Sequence, residues 1–202
     1  MLDLTQPFLA KGDKLVCFGD SLTAQENSYV SHLQAALPEN EIINAGRGGD
    51  KTPWALTRLE TDVFAQKPQA VLIMLGANDA AVGRGIWADE PRVTPEAYRC
   101  NLVWMAHLCH LKGIEKVSIA TAFGFEGKSY VEQGRIIEAY YAAAREAADE
   151  MQARLVPLDV LFEELRQGAP LTETLVTQDG THPLPAAQEK IAQAMLKAWA
   201  LI

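Results

Sequence analysis

Five short apolar runs recur along this chain, and stretches with helical spacing separate them. The runs are KLVCF (Lys14–Phe18), EIINA (Glu41–Ala45), AVLIML (Ala70–Leu75), KVSIAT (Lys116–Thr121) and RLVPL (Arg154–Leu158). Their hydrophobicity is nearly continuous rather than alternating, and they are rich in β-branched residues. Strands read that way when both faces are buried, as in a parallel sheet covered by helices on two sides. The intervening segments supply the helices. Ser28–Leu37 carries Tyr29, Leu33 and Leu37 four apart behind a Ser28 N-cap. A second helix opens near Pro53 and carries Trp54 to Phe64. Thr94 and Pro95 open a third, as cap and first helical residue, and it ends at Gly113. Val131–Gln152 is long and alanine-rich, and Pro185 opens the last helix, Ala186–Trp199. No linker, repeat or low-complexity tract divides the chain. The pattern predicts one α/β domain over residues 1–202, with a mostly parallel sheet and helices on both faces.

The chain is long enough to hold a core: it has 202 residues, 49% of them hydrophobic and 22% charged. A formal net charge of −8 repels phosphate backbones and anionic headgroups, so neither nucleic acid nor membrane is an expected partner. The start of the chain carries Asp3 and no apolar run of signal-peptide length, which predicts a cytoplasmic protein. The most apolar stretch, Ala70–Ala77, is far too short to span a bilayer. Three cysteines are too few, and odd in number, for a disulfide framework. Cys100 and Cys109 share a helix, about 13 Å apart in rise, and Cys17 lies in the first strand. All three are expected in the core. No His/Cys spacing suggests a metal, and no cofactor is expected.

In a parallel α/β sheet, ligands bind beyond the carboxyl ends of the strands. Four motifs stand there. The first strand runs into FGDSLT, where Gly19 permits a sharp turn and Ser21 follows; that serine can be a helix N-cap or a nucleophile. The second runs into NAGRGGDKT, with three glycines between Gly46 and Gly49 that can aim backbone N–H groups at an anion. It is not a phosphate loop, because Asp50 stands where that motif needs glycine before Lys51 and Thr52. It is not a dinucleotide fingerprint either, because Lys51 holds the third glycine position. The third strand ends in LGAND, where Asn78 offers a neutral N–H donor. DGTHP, Asp179–Pro183, precedes the last helix. Its spacing lets the Asp179 carboxylate accept from one ring nitrogen of His182 and leaves the other free as a base. His32, His107 and His110 sit on helices without such a partner and read as packing or surface residues. Nucleophile, base, orienter and oxyanion donors are the parts that acyl transfer needs, and they place His182 to take a proton from Ser21.

With these blocks in this order, the sequence resembles the GDSL, or SGNH, hydrolase family: GDSLT at Gly19–Thr23, NAGRGG at Asn44–Gly49, GAND at Gly76–Asp79 and DGTHP at Asp179–Pro183. The resemblance implies a three-layer α/β/α fold with a five-stranded parallel sheet in flavodoxin-like order. It implies Ser21, Asp179 and His182 as catalytic residues, and Ser21, Gly49 and Asn78 as oxyanion-hole donors. Asp20 is expected to tie down its loop rather than to react. The implied partner is a small-molecule ester, with short-chain or carbohydrate O-acetyl esters first. An acyl thioesterase or lysophospholipase-like acylhydrolase comes second, and a noncatalytic small-ligand-binding module is the remote alternative. On the loop from Ala77 to Val93, Trp87 reads as an anchor or a substrate wall, and Arg84 and Arg92 as solvated or anion-holding. The oligomeric state is not readable; Trp199 either marks an interface or covers the sheet.

Overall fold

The computed structural model of the chain describes residues 3–81, 91–124, 134–168 and 180–202. Within these, five strands form a parallel sheet: β1 (Lys14–Gly19), β2 (Glu41–Gly46), β3 (Ala70–Met74), β4 (Lys116–Ala120) and β5 (Arg154–Val156). Their order is β2-β1-β3-β4-β5, the flavodoxin-like order expected. Each strand sits within two residues of the apolar run that predicts it. β5 is shorter than expected because Pro157 has no N–H to continue the ladder.

Burial on both faces explains why the strands read as continuous apolar runs. Successive residues alternate between two cores. Leu15, Cys17, Leu72 and Met74 face one core, with α2 (Tyr29–Ala36), α8 (Leu158–Arg166) and α9 (Pro185–Ala198). Val16, Phe18, Val71 and Ile73 face the other, with α3 (Thr52–Thr57), α6 (Pro95–Leu111) and α7 (Gly134–Glu150). One-turn helices α1 (Ser21–Ala24), α4 (Leu59–Asp62) and α5 (Ala77–Ala80) fill connections. The register lines up the strand ends on one edge: Gly19 lies beside Gly46 and Met74, and Met74 beside Ala120.

The predicted caps are present: Ser28 accepts from the Val30 N–H and Thr94 from the Ala97 N–H. Two expectations need correction, and one helix lies where none is expected. The helix expected from Pro53 to Phe64 breaks at Arg58, between α3 and α4, and its side chain turns inward. α8 was not expected; it follows β5 at once, with no side-chain cap at Pro157 to announce it. Cys17 and Cys109 are buried, but Cys100 is exposed. Nine residues of helix turn the chain about two and a half times, so Cys100 and Cys109 point to opposite sides. Trp199, open to two readings in the sequence, covers the sheet. It is fully buried, stacks on Phe8 with ring centroids 5.3 Å apart, and donates its indole N–H to Ser118 Oγ at 2.9 Å.

Candidate active site

The first strand-end turn is tight for a steric reason. A Cβ at Gly19 would lie 2.1 Å from Thr23 Oγ1 and 2.7 Å from the Met74 carbonyl oxygen, so only glycine lets β1 turn into α1 there. Asp20, not Ser21, caps α1: its carboxylate accepts from the Leu22 N–H at 2.9 Å. The Ser21 hydroxyl is therefore not spent as a cap. Burial pushes the Asp20 carboxyl up to about 7; the Leu22 N–H pulls it down, and the nearby Asp79 and Asp50 carboxylates push it up further. Asp20 thus ties down the loop, as expected.

His182 reaches that turn from the far end of the chain. Its Nε2 lies 2.9 Å from Ser21 Oγ, a contact across 161 residues of sequence. Both side chains are half-buried. The helix that follows His182, α9, is held by Gln188, which sequence reasoning missed. Gln188 accepts from the Tyr29 N–H at 2.9 Å and donates to Gln25 Oε1 at 2.6 Å, fastening α9 to the chain between α1 and α2. The missed signal was a polar residue on an apolar stripe, in step with Ile191, Ala192 and Met195. Asp179 lies outside the described residues, as do Arg84 and Trp87.

The second turn is bonded to the first, and the third to the second. Asn44 donates to the Thr23 carbonyl at 2.7 Å, and the Arg47 N–H donates to the Gly19 carbonyl at 3.0 Å. Gly49 is buried with φ of +80°, a conformation that favours glycine. Asn78 is buried, and its Nδ2 donates to the Asp50 carbonyl at 2.9 Å. An amide nitrogen carries two N–H groups; this bond uses one and aims the other. Gly76 has φ of +124°, and a Cβ there would lie 2.8 Å from the Tyr98 hydroxyl, which itself donates to the Leu75 carbonyl.

A buried polar layer lies around these turns, and the sequence did not announce it. Asp79 accepts from the Thr52 N–H at 3.1 Å and from Thr52 Oγ1 at 2.5 Å, while Asn101 donates to Thr52 Oγ1 at 2.9 Å. Burial raises the Asp79 carboxyl to about 6, against the pull of the Thr52 bonds and of Lys51. Arg58, 3% exposed, binds Asp50 through Nε at 2.5 Å. Arg58 lies three residues beyond Ala55 and one before Leu59, both buried, so its place on an apolar stripe was the available signal. Among the described residues, no group of three or more His, Cys, Asp and Glu side chains is placed to hold a metal ion. No described helix is long and apolar enough to cross a membrane.

Comparison with known proteins gives a consistent picture. A family model described as "GDSL-like Lipase/Acylhydrolase family" matches residues 17–190. The uncharacterized lipoprotein YqeF of Bacillus subtilis is 34% identical over 149 residues, covering 68% of this chain and 58% of that protein. An acetylxylan esterase of Geobacillus stearothermophilus is 27% identical over 217 aligned positions, covering 94% of each chain. The crystal structure of Axe2, an acetylxylan esterase from the same organism, superposes with a TM-score of 0.81 at 25% identity, over 95% of this chain and 96% of that one.

Proposed function

This chain belongs to the GDSL-like lipase/acylhydrolase family, and from that premise we propose that Ser21 attacks acyl esters as a nucleophile activated by His182. By its family and its esterase relatives the protein is a carboxylic-ester hydrolase. The observation that carries the proposal is the 2.9 Å contact between His182 Nε2 and Ser21 Oγ.

A serine hydroxyl is a weak nucleophile until a base removes its proton. With Nε2 unprotonated, the hydroxyl donates to it and passes its proton over as the oxygen attacks the acyl carbonyl. Negative charge then gathers on the carbonyl oxygen. The backbone N–H groups of Ser21 and Gly49 and the second Asn78 N–H are the proposed donors to it. His182 returns the proton to the departing alcohol, and a water activated in the same way releases the acid. Asp179 is assigned from its motif to bond the other ring nitrogen, fixing the tautomer and stabilising the imidazolium.

The proposed substrates are short-chain esters, with O-acetyl groups on carbohydrate first. Support comes from the acetylxylan esterase that aligns along nearly its whole length. The test is a rate panel on acetyl, butyryl and octanoyl p-nitrophenyl esters, an acyl thioester and acetylated xylo-oligosaccharides. The expected result is a kcat/KM that falls with acyl length and turnover of the acetylated sugar. Preference for octanoyl or thioester substrates would replace this assignment with a thioesterase or lysophospholipase-like one.

A further inference from the structure

We propose that Arg58 and Asp50 are positioning residues for the oxyanion hole, holding the Gly49–Asp50 turn and, through it, the Asn78 amide; this rests on the acyl-transfer reading above. The Arg58 guanidinium ties the first and second strand ends together at three points. Nε donates to Asp50 Oδ2 at 2.5 Å, Nη2 to the Gly19 carbonyl at 2.8 Å and Nη1 to the Ala45 carbonyl at 2.8 Å. Nη1 also meets Asp62 Oδ2 at 2.9 Å, and the group lies 4.0 Å above the Phe18 ring. The Asp50 carbonyl in turn accepts from Asn78. A continuous path therefore runs from the turn that carries Ser21, through Arg58 and Asp50, to Asn78.

Two further features favour position over stability as the purpose. A buried ion pair is a poor stabiliser, since replacement by well-packed apolar groups is often neutral or favourable. The pair is also reached at a local cost: the helix breaks at Arg58, where φ is −110° and ψ is 5°, and the side chain enters the interior. Local irregularity of this kind is expected where function overrides regular packing. Oxyanion donors need that rigidity, because a displacement of roughly 1 Å can cost about 10²-fold in rate.

The test uses Arg58→Met, Arg58→Lys, Asp50→Asn, Asn78→Ala and the Arg58→Met/Asn78→Ala double variant. Endpoint labelling with a fluorophosphonate counts competent sites, so that kcat and KM on p-nitrophenyl acetate are expressed per labelled site. A merely structural defect lowers the count and leaves the rate per site alone. The proposal expects a full count for Arg58→Met, KM within about threefold of wild type, and kcat per site lower by about 30–300-fold. Arg58→Lys should recover part of that loss. In the Asn78→Ala background, Arg58→Met should cost less than about fivefold, since both act on one donor set. If Arg58→Met does not fold, Arg58→Lys and Asp50→Asn carry the same comparison with smaller losses. A per-site kcat within about threefold of wild type, or losses that multiply in full, overturns the proposal. An unlabelled wild type would instead overturn the acyl-transfer reading itself.

Discussion

The two edges of the sheet are finished differently. At the amino edge, ion pairs keep at least one partner partly in water: Lys11 pairs with Glu39 at 74% and 56% side-chain exposure, and Lys14 with Glu41 at 27% and 61%. The buried charge there, Arg154 at the start of β5, donates to backbone carbonyls rather than to a buried carboxylate. At the carboxyl edge, Asp20, Asp50, Lys51, Arg58, Asn78 and Asp79 are all 6% exposed or less. Exposed pairs contribute about 0–1 kcal/mol each, whereas burying an ion costs several kcal/mol before partners offset it. A fold selected for stability alone has little use for the second arrangement. The buried charges cluster at the edge where parallel α/β sheets bind ligands. Ser21 and His182, the proposed reacting pair, are half-buried and lie 2.9 Å apart, while the charged groups behind them are buried and bonded on several sides.

Substitutions at the carboxyl edge should reach activity, and those in the exposed ion pairs of the amino edge should leave activity unchanged and stability nearly so. The largest effect is expected for Ser21→Ala and His182→Ala, each lowering kcat by about 10⁴-fold or more while circular dichroism stays that of the wild type. Asn78→Ala comes next, with kcat lower by about 10²–10³-fold and KM little changed, in steady-state assays on p-nitrophenyl acetate. A loss confined to KM would replace the proposed oxyanion role of Asn78 with one in substrate binding.

The buried carboxyls predict a smaller effect, one on stability against pH. Asp20 and Asp79 sit at about 7 and about 6 in the folded chain, above the ~3.9 of an unfolded one. A raised carboxyl binds its proton more tightly when folded. Its contribution to stability is therefore full below pH ~4 and is lost as pH climbs through the folded values. Asp20→Asn keeps a good N-cap without the charge. Its Tm should exceed that of the wild type at pH 8, and the gap should close toward pH 4; a gap that does not change with pH would contradict the burial argument. The smallest effect is at the other edge: Lys11→Ala should shift stability by no more than about 0.5 kcal/mol in denaturant melts.

Much of this arrangement was legible in the sequence, because the relevant physics is local. Strands buried on both faces must be apolar at every position, and all five were placed from that alone. The four strand-end motifs carry their own turn chemistry, so Ser21, Asn78 and His182 stand out in the sequence as candidates. The second tier was harder to read. Arg58 and Gln188 are polar residues on apolar stripes, and what they bond lies far away in sequence. Asp50 registered only as a residue that spoils a phosphate loop. Cys100 was misplaced although helical geometry alone sets it opposite Cys109.

The most direct test of the central claim is intact-protein and peptide mass spectrometry after treatment with a fluorophosphonate. One phosphonyl adduct per chain, located on Ser21 and lost when His182 is replaced by alanine, is the expected result. No adduct, an adduct on another residue, or undiminished labelling of Ser21 without His182 would contradict it.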